Sequence, residues 1–282
     1  MARLSENSYG KAMVRLTKVA RSGATHGLIE YTVGIMLGGA FETVYTDGDN
    51  GPCIPTDTMK NTVYALAKQH DFDCPESFAA LAAGHFIDEF AHVAWAEVSV
   101  QQALWQRISV SGRAHPHAFT RAGSGTRTAS VRRERGGLLR VSGGISGLEV
   151  IKTTGSGFSG FLRDRFTTLA ETDDRIFATK VDAAWTYASP GAARAETYDE
   201  ARDAMLEVFA AHDSRSVQQT LYAMAEAVLA RIPGISSISF SLPNQHRILV
   251  NLAPFGMSNE NEIFAATSEP FGLITATVTR DE

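Results

Sequence analysis

The chain has 282 residues, enough for one large domain or two ordinary ones, and its 44% hydrophobic and 20% charged residues are typical of a soluble globular protein. The net charge of −5 gives no reason to expect nucleic acid or an anionic membrane as a partner. No segment is long and apolar enough for a membrane span, and the N-terminus lacks the apolar core of a signal peptide. Two cysteines in a chain of this length indicate free thiols in a reducing cytoplasm.

In chain order, the hydrophobic periodicity predicts strands, two helices and more strands, and this order then occurs a second time. In the first part, strands are expected at residues 13–22, 25–37, 92–100, 115–123 and 126–135, and helices at 57–69 and 75–90. In the second part, strands are expected at 138–154, 174–188, 235–242, 246–253 and 273–280, and helices at 198–212 and 216–232. The repeated order predicts an α+β fold of two similar halves, residues 1–137 and 138–282, with antiparallel sheets and helices on one face.

The stretch GDNGPCIPTDTMK, from Gly48 to Lys60, precedes the first predicted helix. Its glycines and prolines fix turns, and Asp57 or Thr58 is predicted to cap the helix. A helix start also offers free N–H groups to an anion or to the polar edge of a ligand. Because one cap does not require Thr56, Asp57 and Thr58 together, this stretch is a candidate binding element.

Three familiar motifs fail on their context. GSGFSG (155–160) has the spacing of a dinucleotide-binding loop, but no helical period follows it. DGDNG, from Asp47, begins like a calcium loop, but Thr58 stands at loop position twelve, where an EF-hand needs glutamate. The basic run Val131–Arg140 predicts a solvated hairpin around a Gly-Gly turn, with a phosphate-binding patch as the weaker alternative.

The histidines raise the question of a metal site. His85, Glu89 and His92 are spaced i, i+4 and i+7, which predicts a shared helix face. A di-iron site of this type needs a second Glu-x-x-His pair, and the chain has none. His115 and His117, in HPHAF, are alternative ligands, although a short His-x-His in a strand is more often structural. The sequence therefore predicts no metal site.

The remaining candidates are polar or aromatic residues in unusual local settings. They are Lys11 after a glycine, Thr56 and Asp57 before a helix, Phe158 among glycines, Arg175 after two aspartates, Val217 and Gln218 at a helix start, and Asn244 and His246 in LPNQH. Taken singly, Arg175 is better explained by pairing with its neighbour Asp173 or Asp174, and Phe158 by a place in the core.

Taken together and in this order, these residues resemble the urate oxidase (uricase) family over nearly the whole chain. The stretches that carry the resemblance are YGKAMVRL, TDTMKNTVYALAK, HPHAF, GLEVIKTTGSGFSGF, TTLAETDDRI, SVQQTLY, SLPNQH and PFGLI. The resemblance implies the tunnelling fold, in which each chain has two halves, two chains close a β-barrel, and two barrels stack into a homotetramer. It implies a purine-catabolic reaction in which urate, O2 and water give 5-hydroxyisourate and hydrogen peroxide, with no metal or organic cofactor.

The resemblance also implies the catalytic residues. Lys11 and Thr56 form a proton-relay pair, which His246 extends. A lysine must be neutral to act as a base, and burial at an interface favours that form. Asn244, together with Thr56, holds O2 or water above the ring. Because sites of this family lie at subunit interfaces, Thr56 is expected to serve the pocket of a neighbouring subunit.

The remaining roles implied by the resemblance concern substrate binding. Arg175 and Gln218 bind the flat anion from one side, where a guanidinium matches the paired carbonyl and deprotonated nitrogen of urate. Phe158 stacks on the purine face. The backbone N–H groups of Asp57 and Val217 bind its polar edge.

Three features depart from the family pattern. Pro55 stands where a small residue is usual, and Arg247 follows His246 where an aromatic residue or histidine is usual. The chain ends in VTRDE, without a peroxisomal Ser-Lys-Leu-type signal, which predicts a bacterial-type cytoplasmic enzyme or a shortened chain.

Two alternative functions stay open. One is a related tunnelling-fold enzyme acting on another purine or a pterin, and the other is a purine-binding homologue without catalysis. Such related enzymes use a zinc site or a glutamate anchor, so Arg175 and Gln218 favour urate. The presence of Lys11, Thr56 and His246 argues against a non-catalytic homologue.

Overall fold

The computed structural model describes residues 2–21 and 23–281, which form two compact units. The first unit comprises Met1–Gly144 and Thr186–Tyr198, and the second comprises Ile145–Trp185 and Asp199–Glu282. Both units are α+β and their paired strands are antiparallel, as the sequence predicts. The predicted division into tandem halves at residue 137 stays a prediction, because compactness alone does not define a tunnelling-fold half.

Among the described residues, six strands and three α-helices lie wholly within the first unit. They are β1 Tyr9–Ala20, β2 Gly27–Gly39, α1 Glu42–Thr46, α2 Thr56–Gln69, α3 Pro75–Glu89, β3 Val93–Ala103, β4 Trp105–Val110, β5 Arg113–Arg121 and β6 Thr126–Glu134. The sheet order is β1-β2-β3-β6, and β4 pairs with β5 in a separate ribbon.

The core of this unit lies between the sheet and two helices. Helix α2 packs on β1, and α3 packs on β3 and β6. Alternate residues of β2, Tyr31, Val33, Ile35 and Leu37, are at most 1% exposed, as expected for a strand with one buried face.

The second unit holds most of the remaining elements, although β7 begins, β8 ends and α4 begins in residues of the first unit. They are β7 Leu139–Lys152, β8 Phe177–Tyr187, α4 Thr197–Ala211, α5 Val217–Arg231, β9 Ile235–Asn244, β10 Arg247–Leu249, β11 Phe264–Ala266 and β12 Gly272–Thr279, with a short 3-10 helix at Ala253–Phe255. A second 3-10 helix, Pro190–Ala192, lies in the first unit. The sheet order is β7-β8-β9-β12, and α5 packs on β9 and β12. Trp185, Phe177 and Leu221 are among its most buried side chains.

A buried ion pair lies within the first unit. The Glu76 carboxylate accepts hydrogen bonds from Arg127 Nη2 at 2.9 Å and from the Tyr187 hydroxyl at 3.0 Å. Glu76 is 1% exposed and Arg127 is 6% exposed. Arg127 Nη1 also donates to the Ala195 carbonyl at 3.0 Å, so one guanidinium holds the segment around residue 195 against α3 and β6.

Several predicted boundaries shift in the structure. Strand β1 begins at Tyr9, four residues before the predicted start. Helix α1, strand β4 and strand β11 were not predicted. The predicted Gly-Gly turn is confirmed, since β6 and β7 flank Gly136, whose φ is +66°. None of the helices in the described part of the chain is both long and apolar enough to cross a bilayer.

Candidate active site

Lys11 lies at a break in strand β1. The pairing of β1 with β2 shifts register between Lys11 and Val14, and Met13, inside this bulge, has a φ of 59°. A bulge changes the direction in which neighbouring side chains point. Gly10 allows the close strand approach before the bulge, because a Cβ there would lie 1.8 Å from the Ile35 carbonyl oxygen. Lys11 is therefore held, half-buried, at a fixed point beside the sheet.

Thr56 and Asp57 begin helix α2, whose start has no side-chain cap. Pro55 occupies the cap position with φ −56° and ψ 135° and makes no capping bond, so the predicted cap by Asp57 or Thr58 is wrong. The Asp57 carboxylate instead accepts hydrogen bonds from Lys60 and Asn61 of the same helix. The first N–H groups of α2 thus have no side-chain acceptor, which keeps them available to a ligand.

The charges at this helix start interact. The Lys60 hydrogen bond, above all, lowers the pKa of Asp57, and the positive charge of Lys11 contributes further. The contacts between these segments agree, because α2 packs on β1 and the Tyr9 hydroxyl of β1 bonds Ile54, two residues before Thr56. The structure therefore brings Lys11, Thr56 and Asp57 together in the first unit, and we call them the first cluster.

Phe158 and Arg175 lie on adjoining backbone segments of the second unit. The Arg175 N–H donates to the Ser156 carbonyl at 2.7 Å, and the Phe158 N–H donates to the Thr172 carbonyl at 2.7 Å. The Asp174 carboxylate accepts bonds from the Thr154 hydroxyl at 2.8 Å and the Gly155 N–H at 2.9 Å. These bonds hold the backbones of residues 154–158 and 172–175 side by side, and with them Phe158 and Arg175.

The Arg175 guanidinium is a cation without a carboxylate partner. It lies over the Phe158 ring, with 5.2 Å from Cζ to the ring centroid. Among the described residues no carboxylate forms an ion pair with it, and the Asp174 carboxylate binds Thr154 and Gly155 instead, so pairing with Asp173 or Asp174 is wrong. Burial lowers the pKa of Arg175, because the charged form loses hydration. A half-buried, unpaired guanidinium against an aromatic ring suits a flat anionic ligand.

The start of helix α5 is hydrogen-bonded to the segment that carries Phe158. The Gly157 N–H donates to the Ser214 carbonyl at 2.7 Å, and the Thr220 hydroxyl donates to Ser214 Oγ at 2.7 Å. Ser216 caps the helix by accepting the Gln219 N–H. Val217 is buried and Gln218 is exposed, and both lie in the first turn of α5, within four residues of Ser214.

Asn244 and His246 lie where β9 ends. Asn244 pairs with Gly272 of β12, and the next N–H, of Gln245, donates to the Ala178 carbonyl at 2.9 Å. This bond brings the LPNQH turn to β8 three residues after Arg175. The His246 side chain is exposed. Phe158, Arg175, Val217, Gln218, Asn244 and His246 all belong to the second unit, and we call them the second cluster.

Arg247 shares a cavity with Arg175. The cavity has a volume of about 410 Å³, and Asp174 and Glu262 also line it. The Arg247 guanidinium donates to the carbonyls of Gln245 at 3.4 Å and His246 at 3.1 Å. The unusual charge after His246 is therefore directed at backbone carbonyls of the turn itself.

His85, Glu89 and His92, the candidate metal ligands around the Glu-x-x-His motif, do not share a helix face. Helix α3 ends at Glu89, so His92 lies outside it. His92 Nε2 instead donates to the Pro52 carbonyl at 2.8 Å. No group of three His, Cys, Asp or Glu residues within 2–21 and 23–281 is placed to hold a metal ion.

Asp174 and Tyr9 are residues that sequence reasoning did not single out. In the sequence Asp174 suggests only an ion pair with Arg175, whereas its partners are a hydroxyl and backbone N–H groups twenty residues away. The family stretch YGK includes Tyr9, but no local pattern indicates its partner Ile54.

Comparisons with known proteins show which family the chain resembles in sequence and in fold. The uricase family model matches residues 7–132 and 141–275. The uricase of Arthrobacter globiformis is 44% identical over 99% of this chain and 90% of its own, and that of Oryctolagus cuniculus is 40% identical over 96% and 93%. The crystal structure of the A. globiformis uricase superposes with a TM-score of 0.95 at 43% identity, covering 100% of this chain and 96% of that one.

Proposed function

This chain belongs to the uricase family and is a urate oxidase, and we propose that it oxidises urate without a metal or organic cofactor. In the proposed reaction, urate, O2 and water give 5-hydroxyisourate and hydrogen peroxide. The electron-rich urate dianion supplies the electrons that reduce O2, and water supplies the oxygen atom added to the ring. The protein's part is to deprotonate urate, align the reactants and exclude bulk water.

The observation that carries the proposal is the unpaired, half-buried Arg175 guanidinium over the Phe158 ring. Arg175 with Gln218 would bind the anionic edge of urate, and Phe158 would stack on its face. The N–H groups of Val217 and Asp57 would bind the opposite polar edges, since both stand in the first turn of a helix.

Proton transfer is assigned to Lys11, Thr56 and His246. Lys11 would act as the base, and the Thr56 hydroxyl would pass the proton, since a hydroxyl both donates and accepts. The positions of Lys11 at a strand bulge and Thr56 at an uncapped helix start support this role. Asn244 with Thr56 would hold O2 or water over the ring.

We propose that active sites form between subunits of a homotetramer. The strand order of the first unit ends at β1 and that of the second ends at β12. Among the described residues, neither of these strands therefore has a second strand paired on its outer edge, and a second copy of the chain can pair there. The first and second clusters of a site would then come from neighbouring subunits.

A cytoplasmic location is proposed on the two free cysteines, Cys53 and Cys74. Cell fractionation of the source organism tests it, and recovery of the enzyme outside the cytoplasmic fraction would contradict it.

The test of function is spectroscopic. Purified protein should remove the ultraviolet absorbance of urate and produce one equivalent of peroxide per urate, while other purines and pterins should not be consumed. An Arg175→Ala variant serves as the control for contaminating activity. Binding of urate without turnover would instead identify a purine-binding protein, and turnover of a pterin would identify a related enzyme.

A further inference from the structure

We propose that Tyr9 is a positioning residue for the reaction, and that its hydroxyl fixes Thr56 relative to Lys11. The inference rests on the proposed roles of Lys11 and Thr56. It adds a residue that touches neither urate nor O2, and it assigns His92 the same task at the other end of the loop.

The Tyr9 hydroxyl binds both backbone groups of one loop residue. It donates to the Ile54 carbonyl at 3.1 Å and accepts from the Ile54 N–H at 2.7 Å. Two bonds to one residue fix its orientation as well as its position. Ile54 is itself 3% exposed, so its side chain is anchored in the core.

The spacing along both segments links this contact to the relay. Lys11 follows Tyr9 by two residues on β1, before the bulge, so the two side chains lie on the same face of the strand. Thr56 follows Ile54 by two residues, with Pro55 between them in a restricted conformation. The bond from Tyr9 to Ile54 therefore sets the distance between the segments that carry Lys11 and Thr56.

Tyr9 is well suited to a fixed role. Its ring packs edge-on against Phe41, with 5.0 Å between centroids, and Phe41 is fully buried. Burial, above all, raises the pKa of Tyr9 to about 12, so the hydroxyl keeps its proton at neutral pH and remains a donor. Ser8, the residue before Tyr9, is also fixed, because its carbonyl accepts a hydrogen bond from the Tyr45 hydroxyl at 3.1 Å.

His92 anchors the opposite end of the same loop. Its Nε2 donates to the Pro52 carbonyl at 2.8 Å, and its ring packs edge-on against Phe41 at 5.1 Å. The Pro52–Pro55 segment thus has a side-chain anchor two residues before Ile54 as well as at Ile54. Both anchors pack on one buried ring, Phe41.

The decisive experiment compares Tyr9→Phe with Tyr64→Phe. Tyr64, on α2, donates to the Arg15 carbonyl of β1 at 3.3 Å, so its removal breaks another contact between these elements without touching the loop. Tyr9→Phe should lower kcat about tenfold, less than the roughly 10²-fold cost of a misplacement of about 1 Å, because His92 still holds the Pro52 end of the loop. Tyr64→Phe should keep kcat within about twofold of the parent, because Tyr64 is exposed and its hydroxyl bonds neither Lys11 nor the loop. A loss of tenfold in both variants would overturn the proposal.

Two readouts separate positioning from loss of folded protein. Partial unfolding would scale the whole pH profile of kcat, whereas a displaced relay should shift the pKa seen in that profile. In addition, Tyr9→Phe should have almost no effect in a Lys11→Met background, because the relay that it positions is already lost. A full, additional tenfold loss in that background would contradict the proposal.

The outcomes also distinguish this inference from the proposed function. If Lys11→Met keeps parental kcat, the assignment of the base is wrong. If Lys11→Met is slow but Tyr9→Phe is not, only the positioning role is wrong. Should Tyr9→Phe fail to fold, His92→Leu tests the second anchor. It should lower kcat, whereas His92→Gln, which keeps a donor, should recover at least part of the loss, and equal activity in both would contradict the proposal.

Discussion

Replacing Arg175 tests the candidate site most directly, because its guanidinium forms no ion pair with a carboxylate. The substitution therefore leaves no buried carboxylate without its partner. A charge-assisted hydrogen bond contributes about 1.5 to 3 kcal/mol. Two such bonds to the anionic edge of urate would contribute about 3 to 6 kcal/mol, and each 1.4 kcal/mol changes affinity tenfold. Arg175→Ala should therefore weaken urate binding by about 10²- to 10⁴-fold.

The conservative variant separates charge from geometry. Arg175→Lys keeps the charge but loses the planar fork, so about half of the Arg175 contribution should be lost, or about 10- to 10²-fold in urate affinity. Urate binding should be measured by calorimetry without O2, so that no turnover occurs. The free energy of unfolding in urea should be measured in parallel.

Arg163 provides the matched control. Its guanidinium also lies over a phenylalanine ring, that of Phe161 at 5.0 Å, but it pairs with Glu171 at 3.3 Å and is exposed. Arg163→Ala should leave urate affinity within about twofold, since exposed pairs contribute little. If Arg175→Ala folds and binds urate with parental affinity, or if Arg163→Ala loses as much, Arg175 is not the anion-binding group.

Four further outcomes follow from the structure and the proposed chemistry. Lys11→Met should lower kcat about 10²- to 10⁴-fold while urate binding is largely kept, and a near-parental kcat would refute its role as the base. Mixing Lys11→Met with Arg175→Ala subunits should restore activity after subunit exchange, because a mixed interface contains one intact site; no recovery would place the site within one chain. Prolonged dialysis against a strong chelator should leave turnover unchanged, and recovery of lost activity by added metal would overturn the cofactor-free mechanism. Glu76→Ala should lower the free energy of unfolding by about 3 to 5 kcal/mol in urea denaturation, because it leaves the buried Arg127 charge without its carboxylate partner. A loss under about 1 kcal/mol would show that water reaches this pair.

Much of the fold follows from local chemistry. The alternation of apolar residues in β2 and the periodicity of α2 are visible in the sequence, and Gly136 predicts the turn between β6 and β7 because glycine adopts a positive φ without strain. The family stretches also name the second-cluster residues in order. The strand, the helix and the turn were predictable because each depends on residues that are close together along the chain, whereas the candidate residues come from the family resemblance.

Other features depend on contacts between distant residues. The sequence places His92 on the face of α3, but the helix ends at Glu89 and the imidazole binds the Pro52 carbonyl instead. Local charge suggests that Arg175 pairs with Asp174, but that carboxylate is bound by Thr154 and Gly155. Short-range patterns cannot identify partners that the folded chain supplies from elsewhere.

The sequence by itself therefore determined the type of each major element, the family and the identity of the candidate residues. Only the tertiary structure decided that Arg175 keeps an unpaired charge, that the start of α2 is uncapped, and that Tyr9 holds Ile54. The physical reason is that propensity and periodicity act over a few residues, whereas hydrogen-bond partners and burial arise only when segments 19 or 45 residues apart are brought into contact by folding.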